Sequence, residues 1–267
     1  MAVPPFWNND FYYVQVNSTA DVAAVIAAIH TAVTAHGWTD ESGGGTGPWR
    51  TPARADGIFF RVGITRISAT RLAYVMYDQA GLLVTAGQID YRQDIEAAGN
   101  LVDIFCGPLY LCVNSLRATN EPWFGCVLDQ TPEPMYSPRA IYMHWDGPRT
   151  NAGTLTTYTW ATIHTMRPCD SGYGQRTSMA LLRTVSSAYQ RRTLALTALF
   201  SPAEFIDSGS TPALFIGRIP QCIAIDSTGL SPGADVTVPI DAGVNATFRT
   251  IGISTSNINQ LLAFRKS

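Results

Sequence analysis

Few residues in this chain have the types and spacing that chemistry requires. In Phe205-Ile206-Asp207-Ser208-Gly209-Ser210-Thr211 a carboxylate sits at the end of an apolar run and inside a Ser/Gly turn. Such a carboxylate suits acid hydrolysis, in which two of them share one proton and activate water. The second Asp-Ser-Gly, Asp170-Ser171-Gly172, is followed by Tyr173 and has no apolar run before it. Phe215-Ile216-Gly217 follows Asp207 too closely to form a strand that crosses behind the loop and braces it. A turn accounts for Asp207, because Asp, Ser and Gly are common turn residues.

The remaining candidates are equally bare. The cysteines are Cys106, Cys112, Cys126, Cys169 and Cys222, and no C-x2-C or H-x3-H spacing accompanies them, so a zinc site is not expected. Their odd number, with no export signal at the start of the chain, argues against a disulfide framework. Most have apolar neighbours, which predicts buried thiols. His30 and His36 are expected on different faces of one helix, and His144 and His164 have no motif around them. The Gly43–Gly47 run lacks the G-K-[ST] ending of a phosphate loop, and Trp49-Arg50-Thr51-Pro52 cannot open a helix after it. The expectation is no catalytic residue, no cofactor, no metal and no enzyme activity.

Charge narrows the partners. Only 14% of the 267 residues are Asp, Glu, Lys or Arg, against roughly 25% in an ordinary domain. The net charge is -2, and Lys266 is the single lysine. There is no basic surplus to displace counterions from nucleic acid. The chain is 46% hydrophobic, which excludes disorder. It contains no apolar run of the roughly 20 residues that span a bilayer, so no membrane partner is expected.

The elements that would position these residues are read as follows. A helix is predicted with Thr19 as cap, Asp21 in its first turn, and Val22, Val25, Ile26, Ile29 and Val33 on one face. Gly37 fits its C′ position, with Trp38 folding back onto the last turn. Before it lies an aromatic arm containing Phe6, Trp7, Phe11, Tyr12 and Tyr13, which covers its own sheet or docks on a neighbour. After it comes a flexible glycine loop. Strands follow at 57–63, 72–77, 82–89 (with Asp78-Gln79-Ala80-Gly81 as the turn between them), 101–105, 109–113 and 123–128. Four prolines between Thr131 and Arg149 predict a segment running over a surface rather than inside a sheet. Further strands are expected at 155–165, twice between 179 and 200, at 214–225 with an interruption at Pro220, and at 236–240, 247–253 and 261–265.

This pattern predicts an α+β, mainly β fold: a helix packed on an antiparallel sheet, then a C-terminal β-sandwich or barrel-like domain. The boundaries are 1–167 for the N-terminal domain, with its arm and its Pro-rich loop at 131–149, and 168–267 for the C-terminal one. Phe6, Trp7, Phe11, Tyr12, Tyr136, Tyr142 and Trp145 are the candidate subunit-interface residues, since aromatic residues and Arg are enriched at interfaces while Lys is depleted. A second reading makes Trp123, Tyr142 and Trp145 a platform for a host-surface glycan, in a receptor- or carbohydrate-binding module.

Several segments together resemble structural proteins of tailed-bacteriophage virions. They are Ala35-His36-Gly37-Trp38-Thr39, Asp56-Gly57-Ile58-Phe59-Phe60-Arg61-Val62, Ile104-Phe105-Cys106-Gly107-Pro108-Leu109-Tyr110-Leu111, Tyr136-Ser137-Pro138-Arg139-Ala140-Ile141-Tyr142, Gly217-Arg218-Ile219-Pro220 and Leu261-Leu262-Ala263-Phe264-Arg265. The resemblance implies a multi-copy tail, neck or baseplate component without catalytic residues. Such a protein is made in the bacterial host cytoplasm and carried in the virion, and its partners are other virion proteins and copies of itself. Asp207-Ser208-Gly209-Ser210 alone resembles the aspartic-protease loop, which implies an acid peptidase that Asp207→Asn would silence.

Overall fold

The structure is a computed structural model. It describes residues 10–18, 21–53, 57, 59, 61–77, 90–94, 100–115, 121–127, 142–145, 163–166, 179–181, 200–207, 214–226, 229–241, 244–251 and 260–267. The first part of the chain forms β1 (Tyr12–Ser18), α1 (Ala23–Ala35), β2 (Thr39–Asp40), β3 (Trp49–Arg50), β4 (Arg61–Ser68), β5 (Arg71–Tyr77) and β6 (Asp90–Asp94). Next come β7 (Asn100–Gly107), β8 (Tyr110–Ser115), β9 (Glu121–Val127), β10 (Tyr142–Trp145) and β11 (Ile163–Met166). The last are β12 (Met179–Leu181), β13 (Phe200–Asp207), β14 (Leu214–Asp226), β15 (Asp235–Asp241), β16 (Val244–Ile251) and β17 (Gln260–Arg265).

These strands make three open antiparallel sheets. Sheet A has the order β1-β7-β8-β9-β10-β11, sheet B the order β2-β3-β4-β5-β6, and sheet C the order β12-β13-β14-β17-β16-β15. The fold is mainly β with one helix packed against antiparallel sheets, and none of the sheets closes. The C-terminal strands therefore form an open layer rather than a barrel.

Sheet A is the middle layer, and its sequence explains why. A sheet with one wet face alternates apolar and polar residues, whereas Val102–Cys106 and Tyr110–Val113 are nearly continuous apolar runs. Successive side chains point to opposite faces, so such runs must be covered on both. On one face Val102, Ile104, Cys106, Leu111, Val113, Trp123 and Val127 join a core with Val25, Ile26, Ile29 and Val33 of α1 and with Trp49, Val62, Leu72 and Tyr74 of sheet B. Trp123 and Tyr74 stack there with ring centroids 4.2 Å apart. On the other face Phe105, Tyr110 and Phe124 surround Phe264 of sheet C at 5.5, 5.8 and 6.1 Å. The far face of sheet C buries Ile223, Val238 and Phe248 in a separate cluster.

α1 forms over the expected residues, and its buried side is Val25, Ile26, Ile29, Ala32 and Val33. Thr19 lies outside the described residues. The first-turn N–H of Ala23 is instead accepted by the Asp21 carboxylate. At the other end Gly37 has φ +79°, the Trp38 N–H reaches the Val33 carbonyl and the Gly37 N–H the Thr34 carbonyl. This is a Schellman ending, and it swings Trp38 inward so that its indole N–H donates to the Gly107 carbonyl at 2.9 Å.

Four expectations need correcting. Tyr12 and Tyr13 do not belong to an arm: they open β1, which pairs with β7 from Tyr12↔Cys106 to Ser18↔Asn100. The first strand of sheet B's hairpin is Arg61–Ser68 rather than 57–63, because Ile64, Thr65 and Ile67 extend it to the Ala69-Thr70 turn. Its partner β5 pairs onward with Asp90–Asp94, while 78–89 lie outside the described residues. Within the Pro-rich stretch, Tyr142–Trp145 pairs with both β9 and β11. No proline falls between Pro138 and Pro148, so its backbone keeps every donor. β14 runs through Pro220, where Gln221 adopts φ +54° and the ladder to β13 shifts register between Pro202 and Glu204. The bulge carries the proline.

Phe264 is the ring that three strands of sheet A close upon. Phe264→Ala should cost about 3–5 kcal/mol of unfolding free energy, measured by denaturant titration. A loss below about 1 kcal/mol would mean that sheets A and C do not pack as described.

Candidate functional site

Between sheets A and C lies a polar cluster built on Asp103. This residue interrupts the apolar run of β7, and in register it falls on the face toward sheet C, between Gln15 of β1 and Asn114 of β8. It is completely buried. A buried carboxylate is costly unless it is paired and hydrogen-bonded. One oxygen accepts from the Tyr13 hydroxyl and the Gln15 amide, both at 2.9 Å, and the other from Arg249 Nε of β16 at 2.7 Å. Arg249 also donates to Asp235 at 3.0 Å. Lys266 Nζ donates to the other Asp235 oxygen at 2.6 Å and lies 5.2 Å from the centre of the Tyr13 ring. The chain's only lysine thus closes a circuit that begins and ends at Tyr13.

The electrostatics follow from this geometry. Burial, and then the Asp103 carboxylate, push the Tyr13 hydroxyl well above its ordinary value, so it stays a donor. Burial alone would raise Asp235, but the hydrogen bonds from Lys266 and Arg249 outweigh it and hold its carboxyl below the usual range. For Arg249 burial works against the charge, and the neighbouring Asp103 more than restores it. These charges neutralise one another and leave no free base or nucleophile, so the cluster works as an interlayer clamp.

The other reactive types are also occupied. Cys106, Cys112, Cys126 and Cys222 are free, buried thiols whose pKa burial raises, opposite to what an activated cysteine requires. His36 Nδ1 lies 2.8 Å from Asp10, a pair that resembles a base with its orienting carboxylate. The Cys106 thiol opposite Tyr12 is held protonated by burial, and Asp10 raises it further. His30 faces the Trp49 indole N–H at 3.3 Å. Among the described residues no group of three or more His, Cys, Asp or Glu could hold a metal ion.

The glycine loop, expected to be flexible, is pinned. Asp40 accepts the N–H groups of Ser42, Gly43 and Gly45 and the Ser42 hydroxyl. Burial opposes the Asp40 charge, but these donors outweigh it and lower its pKa.

The expected interface residues are scattered. Phe6, Trp7 and Tyr136 lie outside the described residues. Phe11 is half-buried, with the Arg265 guanidinium 4.3 Å above its ring. Tyr12 is half-buried against the core, 5.9 Å from the His36 ring. Tyr142 and Trp145 begin and end β10, four strand spacings from β1 in sheet A, or about 19 Å. The structure therefore joins Phe11 and Tyr12 at one edge and keeps Tyr142 and Trp145 away from them. Trp123 is fully buried under Tyr74, so it cannot be a sugar platform. Asp207 ends β13, paired with Met179 and Leu214, and Ser208–Thr211 lie outside the described residues. The Asp103 cluster was not foreseen. Its signal was a lone Asp inside Val102-Asp103-Ile104-Phe105, while its partner stands 146 residues away.

Comparison with protein-family models finds no match, and neither does comparison with curated proteins.

Three predictions follow from the clamp. Arg249→Met leaves Asp103 buried without its cation and should cost about 3–5 kcal/mol in denaturant titration. Asn114, beside Asp103 and fully buried, has neither amide atom hydrogen-bonded, so Asn114→Leu should be neutral or raise the melting temperature. A large loss for Asn114→Leu would show that the amide does bonding work. The pH dependence has a fixed sign. Because Asp235 is depressed in the fold, its contribution is full above the unfolded value of about 3.9 and fades as pH falls through the lower folded value. Arg249→Met should flatten this acid limb, and an unchanged acid midpoint would argue against the circuit.

Proposed function

We propose that this protein is a non-enzymatic structural and assembly component of a bacteriophage virion, forming or decorating a multi-subunit ring in the tail, neck or baseplate. The observation that carries the assembly reading is the surface of α1. Every exposed position on this helix (Ala23, Ala24, Ala27, Thr31, Thr34 and Ala35) is Ala or Thr. A helix facing water ordinarily carries charged residues on its outer side. A helix that is apolar on one side and small and uncharged on the other suits burial on both. The engagement of the described thiols and of the Asp103 cluster in the core supports the non-enzymatic half. The virion assignment rests on the resemblance of the segments named above.

Two measurements test it together: mass in solution by light scattering, and location in particles by electron microscopy with a labelled chain. Self-association in solution and discrete, repeated density in particles are expected. A monomer absent from particles would end the proposal.

A further inference from the structure

We propose that β1 is the contact strand of a two-fold dimer, in which β1 of one copy pairs antiparallel with β1 of a second and joins two copies of sheet A into one continuous sheet. This deepens the assembly reading and rests on it.

The argument begins with the edges of the three sheets. An exposed edge offers unpaired N–H and C=O groups to any passing strand, and proteins blunt such edges with shortness, charge, proline or bulges. Among the described strands, β2 has two residues, β12 three and β11 four. β6 carries Asp90, Arg92 and Asp94. β15 has Pro239, a register shift beside it, and Asp235 and Asp241 at its ends. β1 alone is long and unprotected: its seven residues, Tyr-Tyr-Val-Gln-Val-Asn-Ser, include no charge and no proline, and its ladder to β7 is unbroken. Among the described residues nothing is paired to its outer side.

The occupant is a second copy of β1, for two reasons. The first is complementarity. With the two-fold axis at Gln15, Val14 of each copy lies opposite Val16 of the other, on the face that already packs against the core. No like charges meet, and every residue keeps its donor. The aromatic segment before β1 is a poorer partner, because Pro4 and Pro5 have no N–H to give.

The second reason is the helix. α1 lies astride β1 and β7, so its axis sits about half a strand spacing inside β1. Adding one spacing between the two copies of β1 brings the two α1 axes to about 10 Å. Packed helices lie about 8–10 Å apart. Approach that close requires small, uncharged side chains, and every fully exposed position of α1 carries one; the partly exposed His30 is engaged with Trp49 and Asp40. The Thr31 and Thr34 hydroxyls are already turned back onto the Ala27 and His30 carbonyls. Edge and helix therefore specify the same neighbour, and the contact is isologous.

Sedimentation equilibrium on the full chain tests this. The wild type should run at twice the 28.9 kDa chain mass. Asn17→Lys at the edge, and Ala27→Glu or Ala27→Lys on the helix, should each raise the dimer dissociation constant by about tenfold or more. Mixing the Ala27→Glu and Ala27→Lys chains should recover association. Thermal unfolding reports whether each variant folds. Ala27 is an exposed helical position, so its variants carry the test if Asn17→Lys does not fold. An oligomer indifferent to all three substitutions overturns the β1 contact and leaves the assembly reading standing, as does a monomer that is nonetheless present in particles. A monomer absent from particles removes both.

Discussion

Asp103 is a carboxylate without access to water, and its countercharge comes from a different sheet. The Arg249 bond at 2.7 Å sets the distance and angle at which sheet C meets sheet A. Tyr13 and Gln15 bring β1 into the same contact, so the edge strand, the central strand and the C-terminal sheet share one fixed point. Removing either charge alone would leave the other unpaired beside the core, which is more damaging than never having had the pair. Apolar packing around Phe264 supplies the area of this interface and is tolerant of small rotations. The circuit through Asp103, Arg249, Asp235 and Lys266 is directional, and it selects one orientation.

With sheet C held on one face and α1 with sheet B on the other, sheet A can grow only sideways. One of its sides ends at β11, a four-residue strand, and the other at β1. The low charge of the chain takes on a location here. Among the described residues, β1 and the exposed positions of α1 carry no Asp, Glu, Lys or Arg, while Arg249 pairs with Asp103 across layers and Glu41 pairs with Arg50 and Arg61 along sheet B. A flank whose edge backbone groups are unpaired and whose side chains are uncharged is inexpensive to cover with a matching strand.

Much of this architecture was legible in local sequence. The spacing of Val22, Val25, Ile26, Ile29 and Val33, followed by Gly37, specifies α1 and its ending, because helix periodicity and a left-handed residue are local properties. The runs in β7 and β8 likewise read as strands. That both faces of those strands are buried was also implicit in their lack of alternation. Other features have no local signature. Tyr12 and Tyr13 read as part of an arm because the partner that makes them a strand lies in β7, beyond a helix and a whole sheet. Tyr142–Trp145 was obscured by flanking prolines that do not fall inside it. Asp103 stands as a lone charge in an apolar run, but Arg249 sits among Thr247, Phe248 and Thr250 with nothing local to mark it, and only the fold brings the two together. Of the seven expected interface residues, Phe11 and Tyr12 fall at the edge now assigned to association, whereas Tyr142 and Trp145 lie in β10.

Amide hydrogen exchange along β1, followed from dilute to concentrated protein, reads the association surface most directly. The N–H groups that point to β7 should be protected at every concentration. Those that point outward should exchange freely in dilute solution and become protected as the chain associates, with the change confined to residues 12–18 and α1. Outward amides that exchange at the same fast rate at all concentrations, while the chain forms oligomers through some other surface, would contradict it.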